Sequence, residues 1–275
     1  MEFDNHFDLP AGDFIPGIYN YCDSWCERCI YTNKCMNFAT DKLIRKEIEK
    51  NTQREKSMDE NKGFWDQVNK TILDAADLID EEIPLIKTES PIIFGNQEEE
   101  EDSREAMKDY REKKDKAKNH ALSNWASKYE KAVSIWFEEK KDVLKQDYNS
   151  ETKIFKVSYP GINDKLVLKQ LSESVEVILW YHIQIWIKIQ RALSSSFDEQ
   201  DSGDYFDGFP KDSEGSAMVA LKGIRSSIGA WSHLLGKLVP EKETIKQMVR
   251  MLIRMKMELE KLFPKANEFE WPPKH

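Results

Sequence analysis

The chain has few residues that interrupt helices: 11 glycines and 10 prolines occur among its 275 residues. Both residue types disfavour helix interiors, so their scarcity predicts long helices. Long apolar runs are missing as well. The longest, residues 177–187, contains His182 and Gln184, and it is shorter than the roughly 20 residues that a membrane-spanning helix needs. We therefore expect no membrane segment.

An excess of basic residues is also missing, because 50 acidic side chains outweigh 41 lysines and arginines and give a net charge of −9. General nucleic-acid binding depends on clustered positive charge, so we expect none here. The N-terminus is acidic and lacks the apolar stretch of a secretory signal. We therefore expect a cytoplasmic protein, and thiols stay reduced in the cytoplasm.

Several sequence signatures of enzymes are absent. A ferritin-like di-iron site places glutamate three residues before histidine on core helices, and none of the five histidines has this neighbour. The chain also has no glycine-rich phosphate-binding loop and no nucleophile elbow. The sequence thus assigns no catalytic residue, and it leaves open whether the protein is an enzyme.

Cysteine is confined to one short stretch. The four cysteines of the chain are Cys22, Cys26, Cys29 and Cys35, with the spacing C-x3-C-x2-C-x5-C. If residues 21–30 form a helix, the first three thiols lie on one face, at positions i, i+4 and i+7. Cys35 then returns after a short turn. The spacing predicts that these four cysteines form a metal site.

Three chemistries fit four clustered cysteines. Disulfides or free thiols are the least favoured, because we expect a reducing compartment. Zinc is the second, although structural zinc sites made of four cysteines usually contain two C-x2-C pairs separated by a longer loop. The third is a [4Fe–4S] cluster, which short cysteine runs at two- and three-residue spacings commonly hold. We favour the iron–sulfur cluster and keep zinc as the alternative.

Two local resemblances accompany this motif. Cys22 to Cys29 have the C-x3-C-x2-C spacing of radical S-adenosylmethionine enzymes, but those enzymes consist of strand–helix repeats and this chain predicts almost no strands. The stretch C-E-R-C-I-Y-T-N-K-C, residues 26–35, resembles the iron–sulfur closure of nucleases linked to CRISPR adaptation and to helicases. The second resemblance implies cluster binding by three of the cysteines, without nuclease activity.

A wider resemblance covers both ends of the chain. Three segments are similar to a group of bacterial proteins of about this length: P-G-I-Y-N-Y-C-D-S-W-C-E-R-C at 16–29, E-V-I-L-W-Y at 176–181 and G-S-A-M-V-A-L at 215–221. This resemblance implies a family with the N-terminal four-cysteine motif, and it brings no assigned activity.

Hydrophobic periodicity predicts an all-α protein, a bundle of about five helices with a small N-terminal four-cysteine module. Helices are predicted at 65–86, 102–148, 165–196, 214–238 and 241–263, with one short strand at 152–159 and a solvated loop at 96–102. The helix 165–196 is apolar nearly all round from residue 175 to residue 193, so we expect it at the centre. The predicted organisation is a leader with the cysteine module (1–45), a charged linker (46–64), the bundle (65–264) and a tail (265–275).

Charged side chains accompany this central helix. Glu176, Lys188 and Arg191 lie on it, and Arg225 lies on the next helix. Buried charges need partners, so a structural ion-pair network is one interpretation. The other is a pocket for a small anionic ligand, formed by the same four residues. The sequence leaves both interpretations open.

Together these observations predict a cytoplasmic metal-binding protein that uses a [4Fe–4S] cluster for electron transfer or redox sensing, with another protein as its redox partner. Two alternatives come from different classes. One is a helical interaction protein that zinc stabilises and that has no catalytic activity. The other is an enzyme or small-ligand binder that uses a polar pocket in the bundle.

Overall fold

A computed structural model describes residues 10–52, 70, 97–149, 154–201 and 211–271. Helices dominate these residues, so the predicted all-α fold class is confirmed. The six α-helices of the described residues are α1 Met36–Thr52, α2 Gln97–Asn119, α3 Ala121–Lys140, α4 Lys165–Asp201, α5 Asp212–Leu235 and α6 Lys242–Leu262. The helix predicted at 65–86 lies, apart from position 70, outside the described residues. No helix in the described ranges is both long and apolar enough to cross a bilayer.

The chain divides into two compact units. The first unit consists of Met1–Ile15 and Cys26–Lys108, and its described part contains two 3-10 turns, α1 and the beginning of α2. The second unit consists of Pro16–Trp25 and Asp109–His275, and it contains the rest of α2, the other helices and a β-hairpin. The predicted boundaries between cysteine module, linker, bundle and tail stay predictions.

The single helix predicted for residues 102–148 is wrong, because two helices and a strand occupy this range. His120 separates the helices. Its backbone is extended, and its Nδ1 accepts a hydrogen bond from the Leu122 N–H at 3.2 Å, which caps α3. The helix α2 also begins earlier than predicted, at Gln97. It therefore includes positions 98–101, so the solvated loop predicted at 96–102 is wrong from residue 97 onwards.

A β-hairpin follows α3. Strands β1 Lys145–Asn149 and β2 Ile154–Ser158 are antiparallel, with Lys145 opposite Ser158. The predicted strand is confirmed in its described part, and the sequence missed its partner because the residues K-Q-D-Y-N lack the alternation of a strand. The buried backbone N–H of Val157 donates to Ser172 Oγ at 2.8 Å, and this bond connects the hairpin to α4.

The core of the second unit lies between α3, α4, α5 and α6. Fully buried side chains come from each of these helices, among them Tyr129, Ile185, Trp231 and Leu252. The Trp231 Nε1–H donates to the Tyr129 hydroxyl at 3.0 Å, so the two polar atoms satisfy each other inside the core. The predicted central position of the helix 165–196 is confirmed, because α4 contacts α3, α5 and β2.

Candidate functional site

The backbone around Cys22 is not helical. Ser24 has a φ of 54°, in the left-handed region, and 3-10 structure begins at Cys26–Arg28. Residues 21–30 therefore do not form the helix that would place the first three thiols on one face. The Asp23 carbonyl instead accepts hydrogen bonds from two side chains of α4, those of Trp180 and Gln184.

None of the four cysteines is part of a disulfide, and all four are partly exposed. The Cys22 thiol donates to the Tyr19 carbonyl at 3.3 Å, and Cys29 Sγ accepts the Tyr31 N–H at 3.4 Å. Within the described ranges, no group of three or more His, Cys, Asp and Glu side chains is arranged to hold a metal ion. Metal binding by the four cysteines stays a prediction.

The segment Pro16–Trp25, here called the anchor segment, is fixed to the helices of the second unit through Asp23. The Asp23 carboxylate accepts hydrogen bonds from the Tyr181 hydroxyl at 2.6 Å and from Lys222 Nζ at 2.7 Å. Its backbone carbonyl accepts from Trp180 Nε1 at 3.0 Å and from Gln184 Nε2 at 2.7 Å. Side chains of α4 and α5 therefore converge on one residue of the anchor segment.

Asp23 is ionised at neutral pH because its hydrogen-bond partners lower its pKa by more than burial raises it. The carboxyl side chain is 11% exposed, and this burial raises its pKa. Hydrogen bonds from Lys222 and Tyr181 lower the pKa further than burial raises it, so the pKa of Asp23 lies below its ordinary value. The negative charge of Asp23 is thus a stable feature of the folded protein.

The anchor segment also contributes to the apolar core. Trp25 is 6% exposed, and its ring stacks on Trp180 with centroids 4.9 Å apart and planes at 19°. Tyr181 meets the same indole edge-on, with centroids 5.8 Å apart. Stacked and edge-to-face aromatic contacts add to the gain from burying the apolar area, so this end of the anchor segment is strongly held.

The C-terminal residues enclose the other side of the anchor segment. Tyr21 makes edge-to-face contacts with Phe269 and Trp271, each with centroids 5.0 Å apart. The Trp271 Nε1–H donates to the Ile18 carbonyl at 3.0 Å. Helix α5 approaches closely because residue 215 is glycine: a Cβ at Gly215 would lie 2.5 Å from atoms of the Tyr21 ring. The close packing here depends on that missing side chain.

Of the residues predicted to bind a ligand, Arg191 lies in an ion pair. Its Nε donates to Asp212 at 3.0 Å and its Nη2 donates to the other carboxylate oxygen. The Ser195 hydroxyl donates to the same carboxylate at 2.6 Å. Burial raises the pKa of Asp212, but Arg191 and Ser195 lower it further, so the net pKa is below its ordinary value. The guanidinium is thereby held in one orientation.

Lys188 is half-buried one helical turn before Arg191. Burial lowers the pKa of Lys188, and the charge of Arg191 lowers it further. The nearby Cys22 raises it by less, so the net pKa is below its ordinary value. The structure therefore brings Lys188, Arg191 and the first cysteine of the motif into one neighbourhood within the second unit.

The other two predicted ligand residues have separate surroundings. Arg225 donates to Glu260 Oε1 on α6 at 3.0 Å and also to the Asn267 side chain. Glu176 is half-buried on α4. Arg225 thus supports the contact between α5 and the end of α6, and a common ligand pocket formed with Glu176 and Lys188 stays a prediction.

The fold is that of an all-α helical-bundle protein with a cysteine-containing N-terminal stretch. No protein-family model, no curated protein and no solved structure matches the chain. The structure adds Asp23 and Asp212 to the residues of interest. Asp23 lies in a loop and Asp212 at the start of a helix, and the sequence around each is ordinary. Their partners lie well outside their local sequence, so spacing could not predict their importance.

Proposed function

We propose that the protein is a cytoplasmic metal-binding protein whose four cysteines hold a [4Fe–4S] cluster for electron transfer or redox sensing. The observation that carries the proposal is the spacing C-x3-C-x2-C-x5-C, which gathers every cysteine of the chain between Cys22 and Cys35. None of the four is part of a disulfide, so each sulfur can serve as a ligand once it is deprotonated. Four cysteine ligands are the common set for this cluster.

The local structure of the stretch is compatible with a rearrangement on metal binding. The turns Cys26–Arg28 and Thr32–Lys34 contain no buried residue. Few apolar contacts therefore oppose a change in the backbone of this stretch. Metal binding commonly orders a short cysteine-rich stretch that lacks a core of its own. The proposal accordingly includes a conformational change in residues 26–35 when the metal binds.

Zinc is the second candidate, favoured by one observation. The pair Cys26 and Cys29 forms a C-x2-C unit, which is the typical half of a structural zinc site. With zinc, the cysteines would have a structural role only, and the protein would be an interaction module without redox activity. The two candidates differ in colour, in metal content and in response to reductant.

The test is purification of the full chain without oxygen, followed by iron, sulfide and zinc analysis and absorption spectra before and after dithionite. The iron–sulfur proposal expects about four iron and about four sulfide per chain and a visible band that bleaches on reduction. Cys29→Ser should lower the cluster content strongly. Thr32→Ser, a change within the same stretch that removes no thiol, serves as the matched control and should retain the wild-type content.

Three results would overturn the iron–sulfur proposal. Colourless protein with about one zinc per chain would establish the structural alternative. Protein that holds no zinc, and that holds no iron after reconstitution with iron and sulfide, would exclude metal binding by this stretch. Equal metal content in the Cys29→Ser variant and wild type would show that the metal binds elsewhere.

A further inference from the structure

A cleft of about 560 Å³ lies between α2 and α4 in the second unit, and no cysteine is among its described lining residues. This volume is within the usual range of small-molecule sites. The lining residues recur at helical spacing on both walls: Tyr110, Lys114, Ala117 and Lys118 on α2, and Ile187, Arg191, Ser194 and Asp198 on α4. Such spacing means that each helix presents one continuous face to the cleft.

Three cations line the cleft. Arg191 is fixed by its bonds to Asp212, which occupy two of its five N–H donors. Lys114 lies over the Tyr110 ring, with Nζ 4.5 Å from the ring centroid. Lys118 is exposed on the same helix face, one turn after Lys114. A fixed guanidinium and two lysines are a common combination for recognising an anionic group.

Two acids also line the cleft, Asp198 and Asp115. Asp198 pairs with Lys113, whose Nζ lies 3.3 Å from the Asp198 carboxylate and 2.7 Å from that of Asp109. Lys113, which is not among the described lining residues, therefore offsets part of the charge of Asp198. Asp115 is exposed. The described lining therefore contains three cations and two acids, with two of the cations, Lys114 and Lys118, on the α2 wall.

Part of the lining of the cleft is apolar. Ile187 is 50% exposed, although it is a large aliphatic side chain in the middle of the central helix α4. Ala117, on the opposite wall, is buried. The phenol ring of Tyr110 adds a flat surface that is 46% exposed. A ligand with a compact apolar or aromatic body would remove these surfaces from water, which is favourable.

We propose that this cleft binds a small organic phosphate, with the phosphate group between Lys118 and Arg191 and the apolar body over Ile187 and Tyr110. A phosphate monoester carries between one and two negative charges near neutral pH, which suits two or three cations. The Ser194 hydroxyl is a further donor in the lining. This site is independent of the cysteines, so the failure of the metal proposal would leave it standing.

The experiment is isothermal titration of the full chain with phenyl phosphate, which has a phosphate group on an aromatic ring, and with inorganic phosphate and phenol as its separate parts. Phenyl phosphate is expected to bind saturably and more tightly than either part. Lys118→Glu should weaken its binding by about tenfold or more, because an attractive charge becomes a repulsive one.

The matched control is Lys116→Glu. Lys116 is exposed on the same helix, and it is not among the described residues that line the cleft. The control undergoes the same charge change at a position outside the lining, so this variant should bind phenyl phosphate with the wild-type affinity. Both variants replace exposed side chains and should melt at the wild-type temperature. Equal weakening in the two variants would show general charge attraction and overturn the proposal, as would the absence of saturable phenyl phosphate binding by wild type.

Discussion

The anchor segment Pro16–Trp25 and the residues that follow it, 26–35, both carry cysteine, but different interactions determine their conformations. In the anchor segment, Ile18 is 4% exposed and Trp25 is 6% exposed. In residues 26–35, the two 3-10 turns contain no buried residue, and Ile30 is 82% exposed. Packing against helices therefore determines the first region, whereas hydrogen bonds, most of them between near neighbours in the chain, determine the second.

This difference bears directly on the proposed metal site. A region held by buried aromatic rings and a charged hydrogen-bond centre keeps its conformation whether or not a ligand is bound. A region without buried residues has little to lose when it changes conformation. Cys22 is thus the cysteine with a fixed backbone, and Cys26, Cys29 and Cys35 are the ones that a metal could reposition.

The largest effect is expected for Trp25→Ala. The substitution removes a buried indole that stacks on Trp180 and leaves a cavity, so we expect the free energy of unfolding to fall by about 3–5 kcal/mol. Chemical denaturation monitored by circular dichroism measures this change. Tyr31→Ala is the control from the second region: its side chain is 37% exposed, and its loss should change stability by about 0.5 kcal/mol or less. Similar losses in the two variants would contradict the comparison.

The sequence predicted the bundle better than the cysteine stretch, for a physical reason. The apolar pattern of the central helix repeats over many turns, so its position in the core followed from periodicity. The conformation of residues 21–30 depends on single long-range contacts, such as Trp180 Nε1 with the Asp23 carbonyl, 157 positions away in the chain. Local spacing carries no information about such partners, so the sequence alone could not decide whether residues 21–30 form a helix.

The predicted ligand residues illustrate the same limit of local patterns. Lys188 and Arg191 share a helix face, so their proximity followed from the helical repeat. The acidic partners of the arginines did not follow from the helical repeat. Arg191 pairs with Asp212 at the start of α5, and Arg225 pairs with Glu260 on α6. Which acid an arginine contacts depends on how helices pack, and packing is not encoded in the spacing of one helix.

Asp23→Asn tests the charged centre of the anchor segment. The variant keeps the size of the side chain but loses the charge that Lys222 and Tyr181 stabilise, so we expect unfolding to become easier by about 1.5–3 kcal/mol at pH 7. The folded pKa of Asp23 is lowered relative to 3.8, so its contribution is complete above that pH and is lost as the pH falls through the folded value. Urea unfolding from pH 7 to pH 3 should therefore show the difference between the proteins shrinking in acid.

The control for this charge effect is Asp41→Asn in α1. Asp41 forms an exposed pair with Arg45 one helical turn away, at 2.7 Å, and such surface pairs contribute about 0.5 kcal/mol or less. Asp212 is present in all the proteins compared, so its own titration cancels in the differences. If the stability difference between wild type and Asp23→Asn stayed constant from pH 7 to pH 3, the carboxylate charge would not be its cause.

Gly215→Ala tests the close approach of α5 to Tyr21 in the anchor segment. The new Cβ would lie 2.5 Å from the Tyr21 ring, and overpacking of this kind typically costs about 1–3 kcal/mol. Gly229→Ala is the matched change in the same helix, and a Cβ there would have no neighbour within 4 Å. Alanine is a better helix former than glycine, so Gly229→Ala should stabilise by about 0.5–1 kcal/mol. Thermal melting should therefore shift in opposite directions for the two variants.

The smallest effect is expected in the second region, for Cys29→Ser in protein kept reduced and free of metal. The thiol is partly exposed and makes one long hydrogen bond, with the Tyr31 N–H, so stability should change by about 0.5 kcal/mol or less. A metal that binds only the folded chain stabilises it by an amount that grows with the free metal concentration. The wild type should gain this stability on loading and the variant should gain less, as paired denaturation curves would measure. A large loss in the metal-free variant would instead show that Cys29 is a packing residue, and the contrast between the two regions would be removed.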